Sequence, residues 1–281
     1  MEWWIWPLAL FAVTFAIGVV AVLGGVGGGV LFVPIVSALF PFHLDFVRAA
    51  GLLVALTTSL SAAPRLIAGG LASLRLAMPL ALVGSVTSIV GALVGLALPA
   101  HAVQVALGAT ILVIAVFMWR VGRSHETQVV GPDRLAEALR MHGVYHDGAL
   151  GRRVEWRVHR TPAALILFAG IGLLAGLFGL GAGWANVPVL TLLMGVPLKL
   201  AVGTSGFILS VIDTAAAWVY LHRGAVLPML VVPSIIGVML GAKIGARVLV
   251  RVSAAAVRRA VLLLLLLAAL RALARGFGLW S

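Results

Sequence analysis

Two clusters of glycine hold the residues best suited to meet a solute. Gly24, Gly25, Gly27, Gly28 and Gly29 fall within one short stretch, which runs on to Val33-Pro34. The pattern returns at Gly179, Gly181 and Gly183, leading to Val187-Pro188. Glycine tolerates positive φ and lets a ligand approach the backbone. A helix that starts after such a cluster exposes unpaired N–H groups and the positive end of its dipole. That is an anion site built without a charged side chain. Gly27, Gly28, Gly29, Gly181 and Gly183 are therefore candidate binding residues. The same small residues would equally suit close helix packing, and the residues alone leave both readings open.

Further candidates lie near the second cluster. Asn186 stands where the first copy has Phe32, so the repeat itself does not require an amide there. Its side chain can donate to an anion. Thr204 and Ser205 can donate at the start of the next segment, or bond back to their own helix carbonyls. Asp213 lies deep in an apolar segment, where a carboxylate marks a pathway, a pair or a proton relay; it is the candidate for proton coupling. Lys243 falls off the stripe of Gly237, Gly241 and Gly245. It either lines a basic mouth that concentrates anions or snorkels to the interface. Arg48, beside His43 and Asp45, is a candidate gate or an interfacial charge. His142 and His146, at i, i+4 spacing, are a weak metal signal. Cysteine is absent, which excludes disulfides and thiolate metal sites.

The elements that hold these residues are long and apolar. The 281-residue chain is 63% hydrophobic and only 10% charged, and its mean hydropathy is +1.19. No soluble core of this size hides that much apolar surface. Apolar segments fall at residues 5–23, 30–40, 46–68, 76–98 and 101–119, and again at 162–178, 184–194, 198–221, 226–249 and 256–275. Most match the ~20 residues that span a bilayer, while the segment after each glycine cluster is short enough for a half-helix. Trp3, Trp4 and Trp6 read as interfacial anchors. The formal charge of +12 reflects arginines between apolar segments, so membrane topology explains it and no nucleic-acid partner is implied.

The two sets of segments match in order. Gly27, Gly29, Val33 and Pro34 align with Gly181, Gly183, Val187 and Pro188. Met78-Pro79 resembles Leu227-Pro228, and Gly91 to Gly95 resembles Gly241 to Gly245. The expected fold is an all-α integral membrane protein of two homologous repeats, five segments each, inverted relative to one another. Residues 1–119 form the first transmembrane repeat, 120–160 a cytoplasmic polar loop, and 161–281 the second repeat. With both chain ends outside, 15 basic residues fall inside and 4 outside, Lys243 being left within a segment; this obeys the positive-inside rule. Within the loop, Asp133 to Gly143 reads as a short capped helix and Val154 to Val158 as a strand or interfacial piece.

With these motifs in place, the chain resembles the TauE/SafE sulfite exporter family of bacterial membrane permeases. The likeness rests on Gly25 to Pro34, its copy at Gly179 to Pro188, Ala201-Val202-Gly203-Thr204-Ser205, and Gly241 to Ala246. It spans both apolar halves. The first half departs from it with Ala49-Ala50-Gly51-Leu52-Leu53 where the second has Thr204 and Ser205, so the two half-sites are not equivalent. The resemblance implies export of sulfite or organosulfonates across the bacterial inner membrane, with a small anion and lipid as partners.

No Gly-Lys-Ser/Thr follows any glycine run, so direct ATP drive by this chain is not expected. Clustered histidines, cysteines or paired carboxylates are lacking as well, which argues against an enzyme. No cofactor is expected. The leading expectation is a secondary permease working by alternating access. A passive anion channel and a membrane-embedded enzyme or assembly subunit are its alternatives.

Overall fold

The computed structural model describes residues 4–24, 28–68, 70–121, 131, 133–147, 152–181, 183–248 and 254–277. Apolar runs become helices because lipid offers no partner for a backbone N–H or carbonyl. The first set is α1 (Ile5–Gly24), α2 (Gly28–Leu39), α3 (Leu44–Ala68), α4 (Leu74–Ala97) and α5 (Ala100–Val121). Punctuation is local. Pro41 follows α2, Gly70 turns with φ +66 after α3, and Ser73 caps α4 by accepting the N–H of Leu76 at 3.4 Å.

The central segment is folded, not a bare loop. It holds α6 (Arg134–Ala138) and an antiparallel pair, β1 (His142–Asp147) and β2 (Arg152–Arg157), with His142 opposite Arg157. The strand expected at 154–158 forms, but the helix ends earlier than expected. Arg140 takes φ 52, and Met141 closes the turn by donating to the carbonyl of Ala136 at 2.8 Å. His142 and His146 therefore lie on a strand.

The second set is α7 (Thr161–Phe178), α8 (Gly183–Pro188), α9 (Leu198–His222), α10 (Pro228–Val248) and α11 (Ala254–Gly276). α7 ends on Gly179, left-handed at φ 69, whose N–H donates to Ala175 at 2.9 Å. α8 continues as a π-helical stretch, Val189–Leu193. Pro188 supplies no N–H there, and Thr191 donates its hydroxyl to the carbonyl of Val187 at 2.8 Å. Met194 then reaches back five residues, to the carbonyl of Val189 at 3.1 Å.

Two helix pairs are stitched by glycine. Gly237, Gly241 and Gly245 of α10 lie directly on the backbone of α1, at Phe11, Phe15 and Val19 in that order. α1 and α10 thus run in the same direction. Gly172 and Gly176 of α7 lie on the carbonyls of Gly84 and Ser88 in α4, and Gly95 lies on Leu177. α4 and α7 are also parallel. α3 runs opposite to α9: Arg48 near its start meets Tyr220 near the end of α9, and Leu71, just past its end, meets Gly203. α5 packs on α11.

The outward faces are apolar. Ile166 is 72% exposed, Leu82 67% and Leu267 64%. Five of the described helices are long and apolar enough to cross a membrane. Water would not tolerate such a girdle, so the chain is an all-α, multi-pass membrane protein carrying a small hairpin module between its halves.

Candidate functional site

The two glycine-rich segments meet inside the molecule. Gly29, in the first turn of α2, faces the short connection between α7 and α8. A methyl group added to it would lie 2.5 Å from the carbonyl oxygen of Leu180, 2.9 Å from Cβ of Ala55 and 3.0 Å from the carbonyl of Gly51. From the other side, Gly181 takes φ +71. A methyl group there would lie 2.7 Å from Cβ of Ala55 and 3.1 Å from Oδ2 of Asp213. Ala55 of α3 is the common neighbour. Backbone from both halves, a small α3 face and the Asp213 carboxylate thus form one buried cluster.

Glycine is required at Gly29 and Gly181 by this contact. The neighbours that fill the space are protein atoms, so the packing role of Gly29 is visible directly. Gly28 is less crowded. Its added methyl would meet only side chains, Thr58 and Val54 at 3.2 Å and Val238 at 3.3 Å. Gly183 opens α8. Gly27 lies outside the described residues.

Asn186 is fully buried on α8, and neither its amide nitrogen nor its amide oxygen has a hydrogen-bond partner among the described residues. An unpaired buried amide costs ~1–3 kcal/mol, so this group is poised for a partner that the described residues do not provide. α8 packs on α9, the helix that carries Asp213, and the part-buried Trp184 bridges the two main core clusters beside it. Asp213 is fully buried as well. One residue before it, the carbonyl of Ile212 accepts the hydroxyl of Ser88 at 3.1 Å, which ties α9 to α4.

Thr204 and Ser205 are buried at the start of α9. Thr204 does not bond back to its own helix. Its hydroxyl oxygen accepts the backbone N–H of Ser73 at 3.1 Å, joining α9 to the capping residue of α4.

Lys243 is not brought to this cluster. It sits on the exposed face of α10 beside Leu240 and Ile244, which are 42% exposed each, and its glycine stripe faces α1. Arg48 is buried, at 1% exposure, where an interfacial charge would be exposed. It donates from Nη1 to the carbonyls of Leu177 at 2.9 Å and Gly95 at 3.1 Å, and from Nη2 to Gly95 and to the carboxylate of Asp45. These carbonyls close the last turns of α7 and α4, where a cation is favoured. The guanidinium also lies 5.7 Å from the ring centre of Tyr220, whose hydroxyl donates to Gly176 at 2.9 Å. The Arg48–Tyr220 clamp carries no local sequence signal, because its acceptors are backbone carbonyls of distant helices.

Outside the spans, Asp133 joins the central module to the second half. Its carboxylate accepts N–H groups from Ala136 at 2.7 Å and Thr161 at 2.5 Å. Burial alone would raise its pKa, but the N–H groups of Thr161 and Ala136 hold it below the usual carboxylate value. Burial and the neighbouring Arg160 push His159 below the usual histidine value, partly offset by Asp133.

Comparison with curated proteins and with solved structures returned no match. A family model, described as Sulfite exporter TauE/SafE, matches residues 10–272. That span covers nearly the whole chain and takes in both glycine segments, Asn186 and Asp213, so the chain belongs to the TauE/SafE sulfite exporter family.

Proposed function

We propose that the chain is a secondary permease that exports small sulfur-containing anions, sulfite or organosulfonates, by alternating access. The observation that carries this reading is the buried meeting of Gly29 and Gly181, with Asn186, unpartnered among the described residues, on the adjoining half-helix. In transporters built from repeats, interrupted helices at such a meeting hold the solute. Asn186 supplies a donor that an oxyanion can accept, and the connection before it brings glycine backbone at Gly181 and Gly183.

We also infer that the halves are inverted repeats. Exchanging α1 for α7 and α4 for α10 turns the α1–α10 pair into the α7–α4 pair, and both are parallel and glycine-stitched. α3 and its counterpart α9 run oppositely. A rocking motion of one half against the other would open the cluster to each side in turn. The inside-negative potential favours efflux of a monoanion by ~2.3 kcal/mol per 100 mV. Thr204 and Gly183 border the route in this reading, Asp213 is the coupling residue, and Arg48 closes the exit side.

Purified protein in liposomes, given labelled sulfite, an alkyl sulfonate, sulfate and thiosulfate, tests the proposal. Saturable flux of sulfite or the sulfonate is expected, and Asn186→Leu should lower it at least tenfold, the equivalent of ~1.4 kcal/mol, while the protein stays folded. Flux that never saturates would mark a channel. No flux of any anion would overturn the permease reading.

A further inference from the structure

We infer that the groove between α3 and α9 binds one acyl chain of an anionic glycerophospholipid, whose phosphate is met by Arg223. The groove has a volume of about 200 Å³ and is lined by Leu53, Leu56, Thr214, Ala217, Trp218, Leu221 and Val226. It opens outward, since Trp218 is 66% and Leu221 56% exposed. Its lining is apolar throughout. The one hydroxyl, on Thr214, is spent on the carbonyl of Ser210 at 2.6 Å. In a bilayer such a groove is filled by hydrocarbon, and its volume suits part of one acyl chain.

The choice of an anionic headgroup comes from the charge at one end. Leu221 and Val226 both line the groove, so the turn between α9 and α10 closes it. That turn carries His222 and Arg223, both exposed. Neither has an ion-pair partner among the described residues. The guanidinium of Arg223 offers a planar fork that fits a phosphate. An exposed tryptophan one turn away suits the headgroup level. Apolar groove, aromatic rim and unpaired cation thus fall in the order of a phospholipid's chain, glycerol region and phosphate. The inference does not depend on which solute the protein moves.

The groove lies on the α3–α9 seam. α3 carries Ala55 and Arg48, and α9 carries Asp213 and Tyr220, so a bound chain would touch the two helices that join the halves at the candidate site.

Trp218 provides a reporter. Wild type and Trp218→Phe are reconstituted in phosphatidylcholine vesicles containing a small fraction of phosphatidylglycerol brominated on its acyl chains, or the same fraction of brominated phosphatidylcholine. The fluorescence difference between the two proteins isolates Trp218. Its quenching should require about fivefold less brominated phosphatidylglycerol than brominated phosphatidylcholine, the preference one surface cation confers. Arg223→Gln should bring the two lipids to parity. Equal quenching in wild type would show unselective surrounding lipid, and a preference that survives Arg223→Gln would remove the phosphate contact; either overturns the inference. Absence of quenching by both lipids would also overturn it, and would mark the groove as covered by protein, such as a second copy of the chain.

Discussion

At the scale of single residues, the glycines divide by what surrounds them. Gly29→Ala would press a methyl group against backbone oxygens at 2.5 and 3.0 Å, which cannot retreat without moving α3 or the α7–α8 connection. Overpacking of that kind costs ~1–3 kcal/mol, and a lower melting temperature in detergent should report it. Gly28→Ala meets only side-chain atoms at 3.2 Å or more and should melt close to wild type. The pair therefore separates packing from binding: lost flux in Gly28→Ala, with unchanged melting, would place solute at that position. Arg48→Met should remove ~2–3 kcal/mol, because the charge-assisted bonds to Leu177 and Gly95 disappear together. Arg48→Lys cannot reach both helix ends with one ammonium and should recover only part. Melting of Arg48→Met within a degree of wild type would deny the clamp. Asn186 stood out in the sequence because its partner in the repeat is Phe32, an unlike residue. Arg48 stood out as a charge beside Asp45, but its clamp did not, since nothing near it in the chain announces acceptors 47 and 129 residues away.

At the scale of elements, the helix boundaries were written in glycine, proline and the ends of apolar runs. The structure moves them by a few residues at most. What the runs did not announce is how α8 continues as a π stretch, where Pro188 removes a donor and Thr191 takes over a carbonyl. The central module was also only partly legible. Its strand alternates, but α6 is held by a contact across 28 residues, from Asp133 to Thr161. Asp133→Ala should therefore loosen α6 and the start of α7 together. Loss of the cap costs ~1 kcal/mol, visible as faster proteolysis within 131–160. The pH dependence follows from the lowered pKa of Asp133. The carboxylate's contribution is complete above its unfolded value, near 3.8, and drains as pH falls through the lower folded value. Wild type and Asp133→Ala should converge in acid. His159 acts earlier on the same path. Held neutral below its usual 6.5, it favours the docked module above that pH and opposes it as protonation sets in. A gap between wild type and Asp133→Ala that stays constant into acid would show that the carboxylate's charge does not hold the module.

At the scale of the whole molecule, the parallel pairs and the positive-inside count bear on one question, the direction of each half. Arginines alone gave an orientation dominated by the central segment, which would point inward under several helix counts. Helix contacts add independent support. Parallel α1–α10 and α4–α7 pairs, with antiparallel α3 and α9, fit a short α2 and a short α8 that each return toward the side where the preceding helix began. On that reading the α9–α10 turn lies outside, as does the start of α3 with His43, and α6 lies inside. The chain contains no cysteine, so single cysteines can be placed without background. His222→Cys and Glu137→Cys put them on exposed positions at the two expected faces. An impermeant maleimide applied to intact cells should label the cysteine at 222 and spare the one at 137 until the membrane is opened. A third, His43→Cys, decides between inverted and parallel halves. It stands before α3 as the exposed Lys199 stands at the start of α9, so inversion requires that a cysteine at 43 reacts from outside and that Lys199→Cys reacts only from inside. Labelling of both from the same side would mean that the halves run in parallel, and alternating access through a shared midplane site would lose its structural basis.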